Sequence, residues 1–175
     1  MAQYHTIDLA RLGLSWGEGR RLDEEVDIGP LELGGQRYGT VPQLIPVRVD
    51  VSRPATGHAL RLAFGADVAG PCMRCLEDAC LTVAVEAREV DQAGGGEEMA
   101  SPYVEGEVLD LGGWAREALM LALPAQILCR PDCAGLCPVC GAPLNDADPA
   151  DHEHGRVAAG PFAKLSKLGR SSEEL

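Results

Sequence analysis

Four cysteines lie within 12 residues, at positions 129, 133, 137 and 140, and they constrain the fold of this chain more than any other feature. A zinc ion takes four sulfur or nitrogen ligands in a tetrahedron, and a Cys-x-x-Cys turn presents two sulfurs to one ion. In the run from Cys137 to Gly141, Pro138 fixes one φ angle and the glycine permits the backbone reversal that such a turn needs. The spacing therefore predicts a zinc knuckle at Cys137 and Cys140.

Two groups of residues can complete the ligand set of this knuckle. Two upstream cysteines would give a closed four-thiolate site, whereas two histidines that follow would give a mixed site. These residues are Cys129 and Cys133 in the first case and His152 and His154 in the second. The sequence alone does not decide between them. We favour one ion in the C-terminal segment over two, and zinc over iron.

A second Cys-x-x-Cys pair, Cys72 and Cys75, is expected in the turn between two strands. A second metal pair, a redox pair and a plain structural turn all remain open for it. The lone Cys80 is expected to be a small buried apolar residue. His5 and His58 stand alone in expected strand or turn positions, and we assign them no functional role.

Composition sets the class of protein. The 27 Asp and Glu residues outnumber the 15 Lys and Arg residues, so the net charge of -12 excludes a globally basic nucleic-acid binder. The first thirty residues show no pattern of a secretory signal, and no apolar run reaches the length of a membrane span. We therefore expect a soluble cytoplasmic protein, in which seven cysteines serve metal binding or redox chemistry rather than disulfides.

Alternation of apolar and polar residues predicts strands over 43–53, 58–68 and 80–90, joined as an antiparallel meander, with weaker candidates at 3–9 and 24–33. The acidic, glycine-rich stretch 91–107 is expected to be a loop without a site. A helix of about 12 residues is predicted before Pro124, with Leu111, Trp114, Ala118 and Leu121 along its buried side. A short amphipathic turn is expected from Pro161.

These elements predict an α+β protein, mainly antiparallel β-sheet with one helix and a small C-terminal zinc-binding module. We place a β-rich domain with a closing helix at 1–124, the zinc-binding module at 125–156 and a short basic tail at 157–175.

The order of these motifs resembles the YceD family, which is named for large ribosomal RNA subunit accumulation. The resemblance rests on Cys72-x-Arg-Cys75-Leu76, the acidic loop, a helix ending in Leu123-Pro124, and the run from Cys129 to Gly141 with Leu144-Asn145 behind it. It spans roughly residues 40–155. Relatives carry a Cys-x-Cys or His-x-His after Leu-Asn, and the resemblance therefore implies that His152 and His154 complete the site. The chain departs from the family after Gly155, which affects the tail and leaves the metal motif intact.

The resemblance implies a role in the synthesis, processing or stability of 23S ribosomal RNA. Partners would be ribosomal RNA or a large-subunit ribosomal protein, with no membrane and no small-molecule substrate. RNA contact requires local positive charge, and the candidate contact residues are Arg74, Arg130, Arg156, Lys164, Lys167 and Arg170. No set of aromatic residues that could stack on RNA bases is visible. No catalytic motif is visible either, so we expect no enzymatic activity. A zinc-dependent protein-interaction adaptor and a thiol redox sensor are the alternatives.

Overall fold

Nine strands and one α-helix make up the part of the chain that the computed structural model describes, namely residues 5–92, 96, 99–148, 152 and 154. The strands and the helix are β1 (Thr6–Asp8), β2 (Gly19–Asp27), β3 (Leu31–Leu33), β4 (Gln36–Val41), β5 (Leu44–Ser52), β6 (His58–Pro71), β7 (Asp78–Asp91), β8 (Val104–Glu105), β9 (Val108–Asp110) and α1 (Leu111–Ala122). The chain divides into two compact units between Cys133 and Ala134. All of these elements lie in the first unit.

Strand β6 organises the main sheet of the first unit. On one side it pairs with β7 over its whole length, from His58↔Asp91 to Pro71↔Asp78. On the other side it pairs first with β5 and then with β4, and β2 extends the sheet beyond β5. All of these pairings are antiparallel, so the predicted α+β class and the predicted meander of β5, β6 and β7 are confirmed.

Period-two alternation explains why these residues form strands. The odd-numbered side chains of β5 from Ile45 to Val51 are at most 1% exposed, and Leu62 of β6 is fully buried. The alternate side chains of these strands face the solvent, where Arg21 of β2 bonds to Asp50 of β5 at 2.7 Å and Arg61 of β6 bonds to Glu86 of β7 at 3.1 Å. One face of the sheet therefore forms the core and the other carries paired charges.

Helix α1 contacts β7, β2 and β1 through its apolar side. Asp110 caps it by accepting a hydrogen bond from the Gly113 N–H at 2.9 Å, which offsets the weak helix propensity of the two glycines in its first turn. Leu111, Trp114 and Ala118 are buried as predicted, but Leu121 is 81% exposed and Leu119 is buried instead. The prediction for Leu121 is wrong because the buried stripe turns toward Ala115 and Leu119.

Other differences from the predicted elements concern short or interrupted segments. The weak candidate at 24–33 is divided between β2 and β3, the candidate at 3–9 shortens to β1, and β4 was not predicted. The stretch 91–107 contains the two-residue strand β8, which pairs with β9. The turn predicted from Pro161 lies outside the described residues. Among the described residues, no helix is long and apolar enough to cross a membrane.

The described residues of the second unit are 134–148, 152 and 154. They contain no α-helix and no extended strand, and their pairing is limited to one antiparallel bridge between Leu136 and Pro143. The Leu144 N–H donates to the Gly135 carbonyl at 2.8 Å, and the Ala134 N–H donates to the Asn145 side chain at 2.9 Å. This segment is therefore a set of turns closed by a few hydrogen bonds.

The helix cap provides a test of the fold. Asp110→Ala removes the acceptor for the Gly113 N–H, and we expect it to lower the free energy of unfolding by about 1 kcal/mol. Asp110→Asn keeps an acceptor oxygen and should lose only a few tenths of that amount. Urea denaturation of both variants measures the difference, and equal losses would contradict the assigned cap.

Candidate metal centres

Four cysteine sulfurs meet in the first unit. Cys72 and Cys75 lie in the turn between β6 and β7, and Cys129 and Cys133 lie in the segment after α1. The Cys72 and Cys133 Sγ atoms are 3.7 Å apart, the Cys75 and Cys129 Sγ atoms are 3.5 Å apart, and all four lie within 4.8 Å of one another. Cys72, Cys75 and Cys133 are buried. We refer to these four residues as the four-cysteine group.

The spacing of these sulfurs fits one tetrahedral ion. Zinc–sulfur bonds of about 2.3 Å require neighbouring sulfurs to lie about 3.8 Å apart, close to the two observed separations of 3.7 and 3.5 Å. Four thiolates are the donor set of closed zinc sites and of iron–sulfur proteins. The group can therefore hold a metal ion without any further ligand.

A second group lies in the second unit and combines two cysteines with two histidines. The ligand atoms of Cys137, Cys140, His152 and His154 lie within 4.8 Å of one another, and the Cys140 Sγ is 3.6 Å from the His152 Nδ1. With zinc–nitrogen bonds of about 2.0 Å, a tetrahedral ion would place a sulfur and a nitrogen about 3.5 Å apart. We refer to these residues as the mixed group, which also fits one ion.

The two Cys-x-x-Cys turns share one backbone pattern. In the first, the Cys72 N–H donates to the Glu77 carbonyl at 2.7 Å and the Leu76 N–H donates to the Cys72 carbonyl at 3.0 Å. In the second, Cys137 and Gly141 repeat both bonds at 2.8 and 2.9 Å, with Ala142 as the acceptor for Cys137. The residue after each pair is left-handed, with φ of 65° at Leu76 and 74° at Gly141. Both turns are therefore knuckles, as predicted for Cys137 and Cys140.

Backbone N–H groups stabilise the first thiolate of each Cys-x-x-Cys pair. Burial acts to raise the pKa of Cys72, but N–H groups of Cys75, Arg74 and Cys129 outweigh it and lower this pKa to about 6. N–H groups of Cys140 and Val139 lower the pKa of Cys137 to about 7. By contrast, burial and the neighbouring thiols raise the pKa of Cys75 to about 12. Each group thus contains a thiol that is readily deprotonated near neutral pH, as metal binding requires.

Hydrogen bonds hold the segment after α1 against the first knuckle. The Met73 N–H donates to the Ile127 carbonyl at 2.9 Å. The Arg74 guanidinium donates to the Cys133 carbonyl at 3.1 Å and to the Gln126 side chain at 3.3 Å. The ligands of the four-cysteine group are therefore positioned by protein contacts from both segments.

The structure brings together the ligands of the mixed partition considered for Cys137 and Cys140, and it does not bring Cys129 and Cys133 to that knuckle. Cys129 and Cys133 join Cys72 and Cys75, whereas Cys137 and Cys140 join the two histidines. We favoured a single site in the C-terminal segment, whereas the structure contains two ligand groups. The compact units correspondingly divide after Cys133 rather than at residue 124, where we placed the module boundary. The signal in the sequence was the number of candidate ligands, since six cysteines and two histidines make two tetrahedral sets.

The remaining candidates fall into three classes. Arg74 and Arg130 flank the four-cysteine group, where Arg74 makes the bonds described above and the Arg130 Nε lies 3.9 Å from an Asp132 oxygen. Cys80 is exposed, so its expected burial is wrong, because it lies on the solvent face of β7. The tail candidates lie outside the described residues and are Arg156, Lys164, Lys167 and Arg170.

His5 and His58 belong to neither ligand group. The His5 Nε2 lies 3.6 Å from a Glu24 oxygen, and the His58 Nε2 lies 3.6 Å from a Glu107 oxygen. His58 is only 4% exposed. Their surroundings are those of side chains within or beside the sheet.

Comparison with known proteins supplies the family. Residues 60–169 match the family described as large ribosomal RNA subunit accumulation protein YceD. The chain belongs to the YceD family. It is also 32% identical over 178 residues to uncharacterised proteins of Mycobacterium tuberculosis strain H37Rv and Mycobacterium bovis, covering 97% of this chain and 84% of each relative. No solved structure matches the chain.

The left-handed residue of the first knuckle generates a prediction. Leu76 is 55% exposed, so Leu76→Gly removes little buried surface and relieves a conformation that costs a non-glycine residue about 1–2 kcal/mol. Because glycine also gains entropy in the unfolded chain, we expect a free energy of unfolding that is unchanged or up to about 1 kcal/mol higher. Leu76→Val should lower it, since β-branched residues tolerate this φ poorly. Urea denaturation in the presence of zinc tests both, and a clear loss for the glycine variant would contradict the assigned strain.

Proposed function

We propose that this protein is a non-enzymatic, cytoplasmic zinc-binding factor that supports 23S ribosomal RNA synthesis, processing or stability during biogenesis of the large ribosomal subunit. The observation that carries the proposal is membership of the YceD family over residues 60–169. Its partner is ribosomal RNA or a large-subunit ribosomal protein. In this proposal, each of the two ligand groups binds one zinc ion.

In this proposal both ions are structural. A catalytic zinc ion keeps an open position for water beside three protein ligands, whereas each group here offers four. The four-cysteine group would fix the segment after α1 to the end of the sheet. The mixed group would close the turns of the second unit, where metal binding would provide much of the folding free energy. Together the ions would hold the C-terminal part of the chain in one conformation.

Metal content of paired variants tests the division of ligands. We expect two zinc ions per chain in purified protein, and one in Cys129→Ser/Cys133→Ser, in which only the four-cysteine group is broken. Cys129→Ser/Cys137→Ser should bind no ion tightly, because it breaks both groups. Elemental analysis gives the stoichiometry, and cobalt substitution identifies the surviving site, since four-sulfur and mixed ligands differ in their absorption spectra.

Cys80→Ser is the matched control, because Cys80 is exposed and belongs to neither group, and this variant should keep two ions. One ion in the unmodified protein, retained in Cys72→Ser/Cys75→Ser, would contradict the division into two groups. If the metal-loaded protein contains no Cys72–Cys75 pair that can be oxidised, the redox-sensor alternative is excluded.

A deletion strain tests the cellular role. We expect loss of the protein to lower the amount of 23S ribosomal RNA and of large subunits in sucrose gradients. Restoring the unmodified chain or Cys80→Ser should reverse this, and Cys129→Ser/Cys137→Ser should not, because its C-terminal part lacks both metal sites. An unchanged large-subunit profile in the deletion strain, during normal growth and under stress, would overturn the proposed function.

A further inference from the structure

The two tryptophans of the chain have opposite surroundings. Trp114 of α1 is 1% exposed in the core, whereas Trp16 is 78% exposed. A single exposed apolar side chain needs no explanation by itself. The structure of the turn that carries Trp16, and the arginines on the adjoining segments, do require an explanation.

The turn that carries Trp16 runs from Ser15 to Glu18 and is tightly closed. The Glu18 N–H donates to the Ser15 carbonyl at 3.0 Å, and the Ser15 N–H donates to the Glu18 carboxylate at 2.7 Å. Gly17 has φ of 79°, the value that a type II turn requires at its third position. Trp16 therefore occupies the outer corner of a well-defined turn.

This turn is bound to the end of the main sheet. The Gly17 N–H donates to the Arg53 carbonyl at 2.8 Å, and the Arg53 N–H donates to the Glu18 carbonyl at 2.9 Å. These bonds continue the β2–β5 ladder beyond Gly19↔Ser52. The Arg53 guanidinium also donates to the Leu14 carbonyl at 3.2 Å. The indole is thus held on a preorganised support, so a ligand need not order the turn on binding.

Positive charge accompanies the exposed indole. Within the described part of the chain, Arg20 and Arg53 form no ion pair with a carboxylate. Four arginines on the solvent face of β2, β5, β6 and β7, in contrast, each pair with a carboxylate; they are Arg21, Arg48, Arg61 and Arg88. Two arginines without a carboxylate partner among the described residues therefore lie on the backbone segments that form and anchor the Trp16 turn, in a chain whose net charge is -12.

We propose that Trp16, Arg20 and Arg53 form a contact site for single-stranded RNA. The indole stacks on a base and the two guanidinium groups meet phosphates, which is how aromatic and cationic side chains bind unpaired nucleic acid. A base needs an open aromatic face rather than a matching pocket, and the corner of the turn offers one. The assignment deepens the proposed function and rests on it for the identity of the RNA.

Intrinsic fluorescence tests the site in the full-length, zinc-loaded protein. Titration with a single-stranded oligouridine of about 12 nucleotides should quench Trp16 emission, while the buried Trp114 gives a constant background. Because Trp16→Ala lacks the reporting indole, the affinities of all variants are measured by the fluorescence anisotropy of a dye-labelled copy of the same oligonucleotide. We expect Trp16→Ala to weaken binding by about 5-fold to 150-fold, the range for loss of one stacked base. Arg20→Gln should weaken binding and reduce the slope of log K against log salt by about 0.7, for one lost phosphate contact.

The controls remove similar groups elsewhere. Leu121→Ala removes an 81% exposed apolar side chain from α1. Arg37→Gln removes an exposed arginine from β4, which pairs with the other end of β6. Both should bind the oligonucleotide as the unmodified protein does. Unchanged affinity in Trp16→Ala, or no binding by the unmodified protein, would overturn the proposal.

Two further outcomes separate this proposal from the proposed function. If Trp16→Ala binds RNA normally but loses a ribosomal protein, the turn is a protein contact and the RNA assignment is wrong. If the unmodified protein fails to bind RNA but restores large subunits in the deletion strain, the proposed function stands and this site does not. Retention of intermediate affinity by Trp16→Phe would support stacking, since phenylalanine keeps a smaller aromatic face.

Discussion

The meeting of Cys72 and Cys75 with Cys129 and Cys133 is the constraint on which the C-terminal part of the first unit depends. The sulfur pairs Cys72–Cys133 and Cys75–Cys129, at 3.7 and 3.5 Å, join residues that are 61 and 54 positions apart in sequence. Joining such distant segments has an entropic cost, and a covalent cross-link over a loop of this length contributes about 4 kcal/mol by the chain-entropy model. A metal ion bound by both segments would likewise stabilise the folded chain by closing this loop. The hydrogen bonds of Met73 and Arg74 bring the segments together but are few.

The mixed group poses a different physical problem, because its knuckle and the rest of its described unit lie close together in the chain. Its secondary structure among the described residues is one isolated bridge, so there is little buried apolar surface to stabilise it. A metal ion bound there would therefore supply most of the stabilisation. Metal ions at the two groups would thus serve distinct purposes: one would close a long loop on a sheet that folds by hydrophobic burial, and the other would stabilise a short segment with almost no core.

Local patterns were sufficient to predict the strands and the helix, whereas the metal sites depended on topology. The alternation from Ile45 to Val51 reports directly which side of a strand is buried, and it was correct. It fails in β4, where Tyr38 is the one buried side chain and no alternation is visible. It also fails for Cys80, which is exposed on β7. The division of ligands could not be predicted because Cys133 and Cys137 are close in sequence but belong to different groups. Only the path of α1 brings Cys129 and Cys133 to the β6–β7 turn.

The distribution of charge is compatible with the proposed RNA contact of an acidic protein. Repulsion between a chain of net charge -12 and phosphates acts over long distances, and salt screens it beyond about 10 Å at 0.1 M. Attraction at the Trp16 turn acts at contact distance, where Arg20 and Arg53 have no carboxylate partner to neutralise them among the described residues. On the open face of β2, β5, β6 and β7, each of the four arginines is matched by a carboxylate, so phosphate there would have to displace an existing ion pair such as Arg21–Asp50. That part of the sheet is therefore poorly suited to RNA despite its four arginines, and the end of the sheet that carries the turn is better suited with two.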